Sequence, residues 1–370
     1  MNSFRILLAG MITTLLCGGV FAQQTKILTA DKHNEYGLIY TLPITTLEIE
    51  VTAERTVNQA GPYYQYAKKF LGTDKVIKQD SEYWVIKDVR VTSYGVPDND
   101  NRYLMQLKSG SLTYLCVDSN GMLMAINKEA GPAASSQSST AKRRDEKTGT
   151  KKADSNLSLN DYLQYVSEDF IASQSSAKQA QMLAESLMEI RDAKISLTRG
   201  TAETMPADGK QLEIMLNSLS QQESSLMAAF TGISRTEEVT RKFTYTPELE
   251  GKTVLFRMSD FAGFVEADDY SGDPVYISVK ITNEGKLPVD AKGEEKKLPK
   301  DAVIYNVPGT ALISLSTLGR NLYEKEMEFS QMGVKFGLAP TLFTVKKTRS
   351  YAVFNPATGG LIEIGEDAGE

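Results

Sequence analysis

The chain has 370 residues, with 41 Lys+Arg against 47 Asp+Glu, a formal charge of −6, one histidine and two cysteines. That mildly acidic balance argues against a general nucleic-acid binder, which needs a basic footprint. A single histidine removes a zinc site built on two, and neither H-E-x-x-H, G-x-x-x-x-G-K-[ST] nor G-x-G-x-x-G occurs.

Residues 1–22 read as a cleavable secretory signal. Arg5 is the only charge at the start, an apolar stretch runs from Ile6 to Val20, and Val20-Phe21-Ala22 resembles a signal-peptidase site. The mature chain is expected from Gln23, exported to the periplasm or associated with the cell surface. Lipidation at Cys17 is the rival reading, but Leu15-Leu16 precede that cysteine where a small residue is usual. No later segment has the length of apolar sequence a transmembrane helix needs, so the mature chain is expected to be soluble or held to a membrane through a partner. Cys116 is then alone and cannot form an intrachain disulfide, so stability must come from buried apolar area.

Residues 23–128 are expected to form a β module. Leu38-Ile39-Tyr40-Thr41-Leu42 precedes Pro43, and Leu47-Glu48-Ile49-Glu50-Val51 alternates with period two, one face buried and one wet. Leu112 to Val117 and Met122 to Ile126 flank Asn120-Gly121, a strong hairpin signal because both types tolerate positive φ. A helical insertion is expected within 56–84: Gly61-Pro62 opens it, Tyr63, Tyr66, Ala67 and Phe70 share a face, and Gly72 ends it.

Residues 129–156 have little to bury. Their Ala/Ser-rich start and the Lys142-Arg143-Arg144 cluster read as a solvated linker. Residues 157–235 then carry two amphipathic stripes. Leu183, Leu187, Ile190 and Leu197 stop at Gly200; Leu212, Met215, Leu219, Leu226 and Phe230 follow Pro206-Ala207-Asp208 and stop at Gly232. A short connection makes an antiparallel αα-hairpin the expected arrangement. From 236 to 364 the period returns to two, giving a C-terminal β module, and 365–370 is an acidic tail.

The two β modules look duplicated. Ile39 to Leu47 lines up with Ile304 to Leu312, Gly95-Val96 with Gly333-Val334, and Tyr114 to Ile126 with Tyr351 to Ile364, in the same order. The expected fold is α+β: two sandwich- or barrel-like β modules flanking the helical hairpin, the first carrying the helical insertion on its sheet. The alternative is two unrelated β regions that share turn chemistry.

The chemistry left open is sparse. A Ser-His-acid triad or Cys-His dyad would have to use His33. Glycoside hydrolysis needs two carboxylates, and no pair stands out. Asp268, Asp269 and Asp273 form a candidate calcium loop, with Asp98-Asn99-Asp100-Asn101 a weaker one; neither fits the EF-hand pattern, and Asp is common in turns anyway. No other cofactor is expected. Tyr63, Tyr64 and Tyr66 with Trp84 are a candidate aromatic platform for a sugar, against which their helical spacing favours packing.

Several segments resemble the uncharacterised domain-of-unknown-function family 4831, exported proteins of Gram-negative gut commensals. They are Tyr36 to Pro43, Gly61-Pro62-Tyr63-Tyr64-Gln65-Tyr66-Ala67, Glu189 to Leu197, and Pro206-Ala207-Asp208-Gly209 through Phe230-Thr231-Gly232. The resemblance implies export and this domain order, and no activity, ligand or catalytic residue. The expected function is a non-enzymatic binding or assembly protein of the cell envelope, with a protein or glycan partner. The rival is a carboxylate-dependent hydrolase acting on glycans. A flat or convex surface favours the first, and paired carboxylates at the base of a cleft favour the second.

Overall fold

A computed structural model describes residues 24–27, 37–106, 114–129, 151–152, 157–343 and 348–368. The signal segment, Cys17, His33 and all but a few residues of the expected linker lie outside the described residues.

In chain order the elements are β1 (Gln24–Ile27), β2 (Leu38–Gln59), α1 (Ala67–Leu71), β3 (Ser81–Gln106), β4 (Leu115–Val117), β5 (Leu123–Ile126) and β6 (Lys151–Lys152). Then come α2 (Glu168–Ala172), α3 (Ser176–Arg199), α4 (Gly209–Thr231), β7 (Ile233–Tyr245), β8 (Gly251–Ser259), β9 (Gly263–Val265) and β10 (Asp273–Asn283). The last four are β11 (Val303–Thr317), β12 (Arg320–Leu338), β13 (Thr348–Phe354) and β14 (Leu361–Ala368). The fold is β-rich. Among the described residues its strands make three sheets, ordered β1-β3-β2-β7-β6, β12-β11-β10-β8-β9 and β14-β13-β5-β4, with every strand pair antiparallel.

The period-two segments set the first core. Leu47, Ile49, Val51 and Ala53 of β2 are fully buried, while Glu48 on the other face reaches Lys242 of β7 at 3.0 Å. Leu47, Ile49 and Val51 meet Phe256, Val275, Ile277, Val279, Ile313, Leu315 and Phe329 of the second sheet, so these two sheets face each other across one core. A second core lies where the third sheet meets the other ends of those strands: Tyr40, Leu42, Tyr103 and Met105, then Tyr305, Phe336 and Leu338, then Leu123, Ile126, Ala352 and Phe354.

Three expectations are corrected here, the first being that Pro43 and Pro308 mark equivalent bends between strands. Pro43 does not separate two strands, because β2 runs through it. Pro43 sits at a register shift opposite Pro97, where the missing N–H costs the ladder nothing, and Pro308 occupies a similar shift in β11. The insertion spans 60–80 rather than 56–84, since Arg55↔Trp84 and Asn58↔Ser81 are still paired. Its helix does not pack on the sheet: Tyr63 and Ala67 join Tyr162, Phe170, Leu183, Leu187, Leu226 and Phe230 in a third core among the helices. Backbone bonds from Tyr63 N–H to Ala229 O (2.9 Å) and Ile77 N–H to Thr231 O (2.9 Å) hold the insertion to the end of α4.

The helices start and stop as their caps dictate. The Ser175 and Asp208 side chains accept from the third residue beyond each, and Gly200 takes φ +71 after Arg199. The two are tied by Glu223 of α4, which binds Arg191 and Lys194 of α3, each at 2.8 Å. The apolar stripe of α4 is buried only in its second half. Leu226 and Phe230 are fully covered, but Met215 is exposed.

Candidate binding surface

The residues singled out from sequence are not brought together as sites. Asp268 and Asp269 lie in the connection between β9 and β10, and Asp273 begins β10. Arg257 of β8 occupies the middle of this loop, donating to Ala267 O at 2.9 Å and Gly272 O at 3.2 Å. The carbonyls a calcium ion would recruit are thus already bonded to a cation. The Asp269 carboxylate accepts from Ser271 N–H at 2.9 Å, a bond that holds it below the usual carboxylate range. Among the described residues no three Asp, Glu, His or Cys side chains gather as a metal site requires. The second acidic segment, Asp98 to Asn101, bulges out of β3 between Pro97 and Arg102, and Asp98 Oδ1 accepts from Asp100 N–H at 3.0 Å.

The aromatic platform is likewise dispersed. Tyr63 is buried, donates to Gln179 Oε1 at 3.2 Å, and makes ring contacts with Tyr162, Phe170 and Phe230. Burial pushes its hydroxyl pKa well up. Tyr66 packs beside it in the helical core, and Tyr64 is half-buried. Trp84 belongs elsewhere, in the first sheet with Arg55 beside its ring. Gly263 lies flat against that ring with φ +69, and a Cβ there would come within 2.8 Å of the indole. Gly263 and Arg55 thus lie against a half-buried indole.

Three carboxylates are held by cations in the direction opposite to what a catalytic acid needs. A glycosidase acid needs its pKa raised. Glu82 is instead drawn down by its bond to Arg55, Glu223 by Lys194 and Arg191, and Glu363 by Tyr351 and Lys128. A groove of about 590 Å³ at the connection between α3 and α4 is lined by Ala193, Leu197, Met215 and Leu219, with Glu203 its one carboxylate.

A buried polar cluster joins the three sheets, and its bonds are internal. Thr45 N–H donates to Ser330 Oγ and Gln331 Oε1 at 3.0 and 3.1 Å, and its hydroxyl donates to Ala357 O at 2.9 Å. Gln331 donates to Thr45 O and Pro247 O, and Asn306 to Pro43 O and Thr358 O. Groups bonded to one another in this way read as a structural junction.

What faces solvent is a set of apolar tips that sequence reasoning missed. Phe261, Tyr270 and Leu318 are 81%, 84% and 73% exposed. They sit on three connections, β8–β9, β9–β10 and β11–β12. Register places all three at one end of the second sheet: Ser259 pairs Gly263, Asp273 pairs Met258, and Val275 pairs Thr317. The turns are built. Ser259 Oγ accepts from Phe261 and Ala262 N–H, and the Thr317 hydroxyl donates to Pro274 O at 3.0 Å. Arg257 lies 4.5 Å from the Tyr270 ring and Arg241 pairs Glu266 at 2.7 Å, a charged collar behind the tips. The signal available in sequence was Phe261 and Tyr270 standing inside turn-type composition, Ser-Asp-Phe-Ala-Gly and Asp-Asp-Tyr-Ser-Gly. Nothing there distinguishes an exposed tip from a plug.

Among the described residues no helix is long and apolar enough to cross a membrane. Compared with known proteins, residues 36–362 match the model of a family described as a domain of unknown function, DUF4831. No curated protein and no solved structure matches the chain.

Proposed function

We propose a role for a chain that belongs to the domain-of-unknown-function family DUF4831: a non-enzymatic, exported binding or assembly part of the cell envelope. The observation that carries this reading is the cluster of three apolar tips on hydrogen-bonded turns at one end of the second sheet. Keeping Phe261, Tyr270 and Leu318 in water is unfavourable, and such exposed apolar groups mark interaction sites. A protein partner fits better than a glycan, since the Phe261 and Leu318 side chains carry no hydrogen-bonding group. The hydrolase alternative is weakened by the cationic partners of Glu82 and Glu223 and by a groove with a single carboxylate.

The architecture we infer is sandwich-like, with two β modules related by duplication and an antiparallel helical hairpin between them. Matching register supports the duplication. Hairpin β4–β5 pairs Leu115↔Ile126, Cys116↔Ala125 and Val117↔Leu123; hairpin β13–β14 pairs Ala352↔Ile364, Val353↔Glu363 and Phe354↔Leu361. Both shift register between the second and third pair. Thr41 N–H donates to Gly121 O and Asn306 N–H to Gly359 O, and the two glycines have φ +81 and +68. The helical hairpin is supported by Leu187 and Leu226 in one core and by Glu223 reaching Arg191.

The test is fractionation of the native host expressing the wild type or the triple variant Phe261→Ser/Tyr270→Ser/Leu318→Ser. Wild type should sediment with the envelope, and the variant should move to the soluble fraction with an unchanged circular-dichroism spectrum. Equal retention of both would remove the tips from the proposal. Release of reducing ends from envelope or dietary glycans by pure protein would replace it with the hydrolase.

A further inference from the structure

The third sheet consists of two hairpins side by side, β4–β5 and β13–β14, whose ladder among the described residues pairs Ala352↔Ile126 and Val353↔Ala125, with Lys128 beyond β5 reaching Glu363 of β14 at 3.3 Å. By the register just described, β4 corresponds to β13 and β5 to β14. The junction therefore joins a β5-type edge to a β4-type edge. It is not reciprocal. Among the described residues β14, the other β5-type strand, forms a ladder with β13 alone, and β4 with β5 alone. One chain thus holds both halves of the same pairing a second time, at opposite rims of one sheet.

The side chains tell the same story. Met124 and Ile126 of β5 are 2% and 0% exposed, Ile126 as part of the second core. Their counterparts on β14, Ile362 and Ile364, are 61% and 47% exposed. A strand rim carrying two uncovered isoleucines is a template for another strand.

We propose that a second copy of this chain lays its β4 antiparallel against β14 in the register of the internal junction. Leu115 of the second copy then stands opposite Ile364, and Cys116 of the second copy opposite Glu363. The backbone groups of the two rims bond to each other, and the isoleucines gain cover. The contact is heterologous, so it propagates along a chain of copies or closes into a ring. It is weaker than the internal junction. Asn127 there donates to Ser350 O at 3.0 Å, and Gly365 stands at the corresponding place. Association should accordingly appear at high protein concentration. The inference rests on the reading of two equivalent hairpins given above.

Cys116 supplies the probe. Cys116, Ala125, Val353 and Glu363 lie in line across four strands. Positions 116 and 363 of one chain are thus roughly 14 Å apart, three strand spacings. A disulfide needs Cα atoms within about 7 Å. In the Glu363→Cys variant, a bond from Cys116 to the introduced thiol can therefore form only between copies. Mild oxidation of the concentrated mature variant should give reducible dimers or higher multiples, with the peptide linking Cys116 to the substituted position found by mass spectrometry. The yield should exceed by about tenfold that of Glu366→Cys, three residues out of register, or of Cys116→Ser/Glu363→Cys. Equal cross-linking of these controls, or none in Glu363→Cys, overturns the proposal. Ala125→Cys/Val353→Cys in a Cys116→Ser background reads the internal junction by itself. If that intrachain bond forms while Glu363→Cys stays monomeric, only the pairing between copies fails. If it does not form, the two-hairpin reading fails with it.

Discussion

Glu223 shows how one side chain can carry a testable load. It sits between two cations of α3, and its bonds to Lys194 and Arg191 hold its carboxyl below the ordinary glutamate value. The sign follows from that direction. With the folded pKa depressed, the carboxylate's contribution is present in full above the unfolded value, about 4.3, and is lost as pH falls through the folded value. Wild-type stability should therefore drop on acidification below about pH 5, and Glu223→Gln should flatten that slope at a cost at neutral pH. Urea titrations across this range check it, and parallel slopes for the two proteins would show that the pair contributes nothing. Gly263 is the converse case. Its role comes from lacking a side chain, because the Trp84 ring occupies the space a Cβ would take.

The helices differ from their sequence stripes for a reason visible at the scale of elements. An amphipathic pattern says which face is apolar but not how far along that face a partner extends. The insertion 60–80 and the short helical segments before α3 supply cover only over the second half of α4. Leu226→Ala should then cost about 2–5 kcal/mol, the usual range for a buried leucine. Met215→Ala should stay within about 0.5 kcal/mol, as for surface changes. Denaturant unfolding of the two variants decides it, and equal losses would mean that the first half of α4 is buried after all. At the turns the chemistry was legible but the geometry was not. Asn120-Gly121 marks a hairpin, yet the turn is opened by Asp118, whose carboxylate accepts from Asn120 and Met122 N–H at 2.9 and 2.8 Å, and only Gly121 takes positive φ.

Over the whole molecule, segments distant in sequence close the sheets. β2 pairs β7 from Leu47↔Tyr245 to Gln59↔Ile233, and β5 pairs β13. The two β regions on either side of residues 129–156 therefore share two sheets, so they cannot separate as independent bodies. Trypsin acting at Arg143-Arg144 should give two fragments that co-elute on gel filtration under native conditions and part only in denaturant. Fragments that separate in native buffer would contradict the shared ladders.

Period-two alternation, helix stripes and cap residues are local quantities, and they determined which segments became strands and helices and which faces were apolar. The parallel spacing of Ile39 to Leu47 with Ile304 to Leu312 is the sequence feature on which the proposed duplication rests. Resemblance in a few segments was enough to place the chain in its family, whose match spans 36–362. What only the tertiary structure decided is which partners those faces meet. Tyr63 and Trp84 look adjacent in sequence terms, but Tyr63 lies in the helical core and Trp84 in the first sheet, and Arg257, reaching in from strand β8, takes two carbonyls of the acidic loop 266–272. Phe261, Tyr270 and Leu318 come to one end of the second sheet only because antiparallel register brings three connections there. The physical reason is that pairing between strands is set by burial summed over whole faces, and a single sequence records the faces without recording their neighbours.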